Sequence, residues 1–102
     1  MKAMQMMSAL AQPTRLNVFT ILVGEQPDGL SAGEIAAKSN TPPNTMSAHL
    51  AILSRAGVVA SSKKGRVVTY SACPDAVRNL CAFLAKASDG ADSSAKAKRA
   101  AR

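Results

Sequence analysis

Apolar residues fall into short stripes at helical spacing over most of the chain, and the period changes near residue 58 and returns near Pro74. Residues 2–10 are rich in Met and Ala and predict a first helix. Pro13 suits the first turn of a second helix, where its missing N–H costs nothing. Leu16, Phe19, Leu22 and Val23 then recur at helical spacing, and Gly24 and Asp28-Gly29 end the segment. Ser31-Ala32-Gly33-Glu34 spells a capping box that opens a third helix through about Ser39, with Ile35 and Ala36 turned inward. Asn40-Thr41 marks a turn. Thr41 then serves as the N-cap of a fourth helix, with Pro42 and Pro43 in its first turn. Met46, Leu50 and Leu53 lie at i, i+4 and i+7, a single apolar stripe, and Gly57 stops that helix.

Beyond Gly57 the pattern turns strand-like. Val58-Val59-Ala60 and Val67-Val68-Thr69-Tyr70 flank the polar turn Ser62-Lys63-Lys64-Gly65-Arg66, which predicts a hairpin. Pro74 opens a last helix with Cys73 at its N-cap, and Val77, Leu80, Cys81 and Leu84 make its stripe. A short helix, a tight turn, a second helix and a basic hairpin predict a winged helix-turn-helix. The expected fold is mainly α, with about five helices and a two-stranded wing.

Composition narrows the architecture. A chain of 102 residues is one domain. Hydrophobic residues make up 47% of it, but 20 residues are Ala and only Phe19, Tyr70 and Phe83 are aromatic. The core is therefore small, and a second copy is expected to complete it. Composition changes near Ser88. Residues 89–102 contain no large apolar side chain, so the expected organisation is a folded domain at 1–88 and a disordered basic tail at 89–102. The uncharged stretch Ala3–Thr14 is too short and too interrupted to span a bilayer, and Met1-Lys2 is not followed by a signal-peptide apolar run. A cytoplasmic, nucleoid-associated protein without membrane contact is expected. Two cysteines do not make a disulfide framework.

The formal net charge is +7, which favours a polyanionic partner. With Met46, Leu50 and Leu53 inward, the fourth helix turns Asn44, Thr45, Ser47, Ala48, Ala51 and Arg55 outward. These are mostly small side chains carrying donors and acceptors, as a helix entering a major groove needs. His49 flanks the buried stripe within reach of a phosphate. Lys63, Lys64 and Arg66 crowd the hairpin tip, and no acidic residue lies between Glu34 and Asp75. Each feature has a plainer reading, an amphipathic surface helix and a solvated loop. Together they point to double-stranded DNA, the helix reading bases and the wing holding phosphates. The other readings are a winged-helix module for an acidic protein partner and an RNA-binding one. The small-residue face argues against the first, and the scarcity of aromatics against the second. There is no Gly-rich phosphate loop, Ser/His/Asp set or carboxylate pair, so an enzyme is not expected.

Four motifs resemble a known family in order. Ala9-Leu10-Ala11-Gln12-Pro13-Thr14-Arg15-Leu16 is similar to the "ALA-x-P-x-R-x-x-IL" opening of ArsR/SmtB-type bacterial regulators. Thr45-Met46-Ser47-Ala48-His49-Leu50-Ala51-Ile52-Leu53 resembles their "S-x-HL-x-x-L" recognition helix. Arg55-Ala56-Gly57-Val58-Val59 resembles the "AG-L-V" that follows, and Gly65-Arg66 with Tyr70 the wing's "GR…Y". The resemblance covers about residues 1–88. It implies a dimeric winged helix, joined through its first and last helices. Such a dimer represses transcription from an imperfectly palindromic operator and leaves it on sensing a signal. Pro43 stands where the family often carries Gln or another polar residue.

The family's usual metal sites are missing. Its Cys-x-Cys site lies on the helix before the turn, where this chain reads Leu30-Ser31-Ala32-Gly33-Glu34-Ile35. Its Asp/His site lies on the last helix, which here has no His. Cys73 and Cys81 remain as candidate sensor thiols, for a soft metal or metalloid or for oxidation. They are eight residues apart, so one chain cannot close them on a single ion, but antiparallel last helices in a dimer could pair them. A helix N-terminus favours a thiolate at Cys73. The plainer reading is a buried Cys81 and a junction residue at Cys73.

Overall fold

The computed structural model describes the backbone of residues 2–100 and the side chains of residues 2–90. Its elements run α1 (Ala3–Leu10), α2 (Pro13–Gly24), β1 (Leu30–Ser31), α3 (Ala32–Lys38), α4 (Pro43–Arg55), β2 (Val59–Lys64), β3 (Val67–Ala72) and α5 (Pro74–Ala100). The five helices, the helix-turn-helix and the wing hairpin stand where the sequence pattern puts them.

Local chemistry accounts for most of the boundaries. The Gln12 side chain caps α2 by accepting the Arg15 backbone N–H at 2.8 Å, with Pro13 at the first helical position. The capping box of α3 is complete. The Glu34 N–H donates to Ser31 Oγ at 3.2 Å, and the Ser31 N–H donates to Glu34 Oε1 at 2.9 Å. Helix α3 ends in a Schellman turn on Asn40, whose φ is +50°. The Thr41 N–H reaches Ala36 O at 2.9 Å, and the Asn40 N–H reaches Ala37 O at 3.2 Å. Helix α4 ends in the same way on Gly57, φ +81°, with Val58 N–H on Leu53 O and Gly57 N–H on Ser54 O. Val58 and Leu53 are both fully buried, which adds the apolar contact that accompanies this motif.

The hydrophobic centre joins Val18 and Leu22 of α2, Ile35 of α3, Met46, Leu50 and Leu53 of α4, and Val58, all almost completely buried. It holds the two helices of the turn rigidly against α2 and the sheet. Phe19, Tyr70 and Val77 pack on its edge.

Five expectations change. The sheet has three strands in the order β1-β3-β2, all antiparallel, rather than two. Leu30 pairs with Tyr70 and Ser31 with Thr69. A two-residue strand that ends on a helix cap leaves no alternation to read. Thr41 is not the cap of α4. Its hydroxyl donates to Ser39 O at 3.1 Å, the cap position belongs to Pro42, and no side chain caps that end. On α2 the buried residues are Val18 and Leu22, whereas Leu16 and Val23 stay exposed. Among the described side chains of α5 only Leu80 is buried, while Cys81 and Leu84 face outward. Finally, the α5 backbone is helical to Ala100, through most of the segment expected to be a disordered tail. That segment is rich in Ala and Lys, which favour helix without any burial. Ala101 and Arg102 lie outside the described residues. A 27-residue helix is about 40 Å long, which explains the 62 × 23 × 22 Å extents.

Candidate nucleic-acid interface

Burying Met46, Leu50 and Leu53 on one side of α4 forces Asn44, Thr45, Ser47, Ala48, Ala51 and Arg55 to the other, and all six are exposed. The exposed face is narrow and nearly free of long side chains until Arg55, the last residue of the helix. Ser47 Oγ donates back to Pro43 O at 3.1 Å, so its lone pairs remain free to accept. A shallow cleft between Gly33, Ala36 and Ala37 of α3 and Pro42 and Pro43 leads to the start of α4.

The wing is tighter than the sequence pattern suggests. Strands β2 and β3 pair from Val59↔Ala72 to Lys64↔Val67, leaving only Gly65 and Arg66 as the loop. Gly65 has φ +64°, the left-handed conformation that the first position of such a two-residue turn requires. Lys63, Lys64 and Arg66 are all exposed. Among the described residues, none of these three nor Arg55 is held in an ion pair. Asp75 and Arg78, both highly exposed, pair with each other at 2.7 Å on α5. Val67 and Val68 are also exposed on the wing, a feature the β-pattern does not reveal. Tyr70 is half-buried against the core and acts as a strand-packing residue.

His49 is half-buried at the edge of α4, and Arg15 reaches it. Arg15 Nη1 lies 3.3 Å from His49 Nδ1, and Arg15 Nε donates to Ala9 O at 2.6 Å. A longer contact of 3.5 Å joins Nη2 to Ser8 O. Arg15 therefore closes the C-terminal carbonyls of α1, and an acidic partner is not involved. No sequence signal announces this, because the two side chains are 34 residues apart.

The two cysteines occupy different environments. Cys73 is partly buried at the start of α5, where its N–H donates to Val58 O at 2.9 Å. Burial pushes the Cys73 thiol above its ordinary pKa, which opposes the thiolate that a helix N-terminus favours. Cys81 is exposed, not a packed core residue. Both thiols are free, and among the described residues no three His, Cys, Asp or Glu side chains group as metal ligands would. No helix is long and apolar enough to cross a membrane among those residues.

A turn between two short helices, a small polar exposed face and a cationic wing with a two-residue loop define a winged helix-turn-helix of the kind that regulates transcription by binding DNA. Comparison with known proteins agrees. The model of a family described as "Helix-turn-helix domain" matches residues 10–62, just over half of the sequence, and the chain belongs to that family. It is 35% identical over 63 residues to the transcriptional repressor SdpR of Bacillus subtilis, covering 62% of this chain and 67% of SdpR. It is 29% identical over 83 residues to the transcriptional activator HlyU of Vibrio cholerae, covering 81% and 74%. An ArsR-like transcriptional regulator from a Rhodococcus species superimposes with a TM-score of 0.84 at 24% identity, covering 94% of this chain and 88% of that one. A homodimeric winged helix-turn-helix DNA-binding domain from Mycobacterium bovis gives 0.68 at 22% identity, covering 89% and 82%.

Proposed function

We propose that this chain is a homodimeric, sequence-specific repressor that lays α4 in the major groove and its wing on the flanking phosphates. The observation that carries this reading is exposure: Asn44, Thr45, Ser47, Ala48 and Arg55 are exposed on α4, and the cations Lys63, Lys64 and Arg66 are exposed on the wing that follows it. No carboxylate occurs between Glu34 and Asp75 to repel a phosphate backbone. The small residues bring the helix backbone close to base edges, where Asn44, Thr45 and Ser47 offer hydrogen bonds. The wing cations supply affinity without sequence.

Dimerisation through α1 and α5 follows from the apolar surface they carry. The two helices touch, and Met4, Phe83 and Leu84 on them remain exposed, with Met4 at 76%. In this reading a second copy covers them, and the similar Mycobacterium bovis domain is itself homodimeric. Two copies related by a two-fold axis read an imperfect palindrome with half-sites about one helical turn, or a multiple, apart. Repression, rather than activation, is supported by the identity to SdpR, whereas HlyU acts in the opposite sense. Selection from random duplexes, followed by footprinting, tests the reading. Recovery of an imperfect palindrome supports it. Salt-sensitive binding with no preferred sequence, or preference for RNA, contradicts it.

A further inference from the structure

The Arg15–His49 contact assigns a chemical state to the recognition helix. An arginine has five N–H donors and no acceptor, so Nη1 at 3.3 Å from Nδ1 is attractive only when Nδ1 carries its lone pair. The imidazole proton then sits on Nε2. That nitrogen has no hydrogen-bond partner among the described residues. His49 is half-buried, and among the described residues no unpartnered side-chain nitrogen is buried, so Nε2 is open to solvent. Meanwhile Arg15 cannot drift. Its Nε is fixed on Ala9 O at 2.6 Å, and its own N–H is held by the Gln12 side chain at 2.8 Å.

We propose that Arg15 is a positioning residue for DNA binding. It holds His49 as the neutral Nε2–H tautomer and presents that N–H to a backbone phosphate of the duplex. The guanidinium itself stays on α1 and does not touch the DNA. A phosphate is the acceptor because His49 lies at the flank of α4, half-buried, while the exposed centre of the helix carries the smaller side chains. This inference rests on DNA being read by α4.

Three readouts test it on the full chain. Long-range nitrogen–proton NMR of the free protein should show His49 with a protonated Nε2 and an unprotonated Nδ1. In Arg15→Lys the tautomers should mix, because an ammonium cannot serve Ala9 O and the ring with a fixed fork. Binding to the duplex recovered by selection should weaken about tenfold in Arg15→Lys, the worth of one hydrogen bond to a charged group. The loss should be equal on single-base variants of that duplex. In a His49→Gln background, where the amide donates without a tautomer, Arg15→Lys should change binding little. Thermal melts check that each variant folds. An Nδ1–H tautomer in the parent, equal losses in both backgrounds, or a loss confined to one base pair overturns the proposal. If the parent recovers no duplex at all, the DNA-binding reading fails, and the NMR result still decides the tautomer.

Discussion

Single residues set the chemistry that the fold then uses. The Ser31 N–H and hydroxyl hold the Glu34 carboxyl below the usual carboxylate range, with Lys38 adding to the effect. A group depressed in this way stabilises the fold above its unfolded pKa, and the contribution is lost as pH falls through the folded value. The melting-temperature gap between the parent and Glu34→Ala should therefore be widest near pH 7 and close as the pH drops below about 4. A gap independent of pH would show that the charge plays no part. The thiols give a second prediction. Burial raises Cys73, while Cys81 is exposed, so limiting iodoacetamide at neutral pH should modify Cys81 first, as read by peptide mass spectrometry. Faster reaction at Cys73 would mean that the helix N-terminus outweighs burial. Ser31 and Glu34 were legible in the sequence because a capping box is written in four consecutive residues. Arg15 and His49 were not, because nothing local links side chains 34 positions apart.

At the scale of elements, the recognition helix was the clearest part of the chain. Met46, Leu50 and Leu53 repeat at the helical period, and their burial alone determines which side chains face outward. Helix α2 was less clear, since Leu16, Val18, Phe19, Leu22 and Val23 cover most of its circumference and the tertiary neighbours choose among them. Strand β1 was hidden altogether. Its placement depends on Gly29, whose φ is +76°, and a Cβ there would collide with the Tyr70 carbonyl oxygen and Ser71 Oγ. Gly29→Ala should cost on the order of 1–3 kcal/mol from backbone strain before the collision is counted. In a domain of this size that lowers the melting temperature by roughly 4–8 °C per kcal/mol. An unchanged melting temperature would mean that β1 is not held against β3.

For the whole molecule, the question is where the thin core is completed. The sequence, with 20 Ala and three aromatics, already implied that one copy buries little. Among the described residues, large apolar side chains stay exposed on α1 and α5 (Met4, Phe83, Leu84) as well as on α2 and the wing, and the proposed seam takes the α1–α5 part of that surface. Phe83→Glu should turn the protein monomeric in sedimentation equilibrium while leaving each copy folded, because Phe83 lies outside the hydrophobic centre. A dimer that survives this charge would move the seam elsewhere. The basic charge also divides by task. In the proposed complex the wing cations act on any duplex, whereas the face of α4 distinguishes one duplex from another. Binding titrations on the selected duplex and a scrambled one, comparing the parent with Ser47→Ala and with Lys63→Ala/Lys64→Ala, test that division most directly. The account predicts that Ser47→Ala narrows the gap between the two duplexes. The double lysine variant should instead weaken binding to both and flatten the salt dependence. Loss of sequence discrimination in the lysine variant with full discrimination in Ser47→Ala would contradict it.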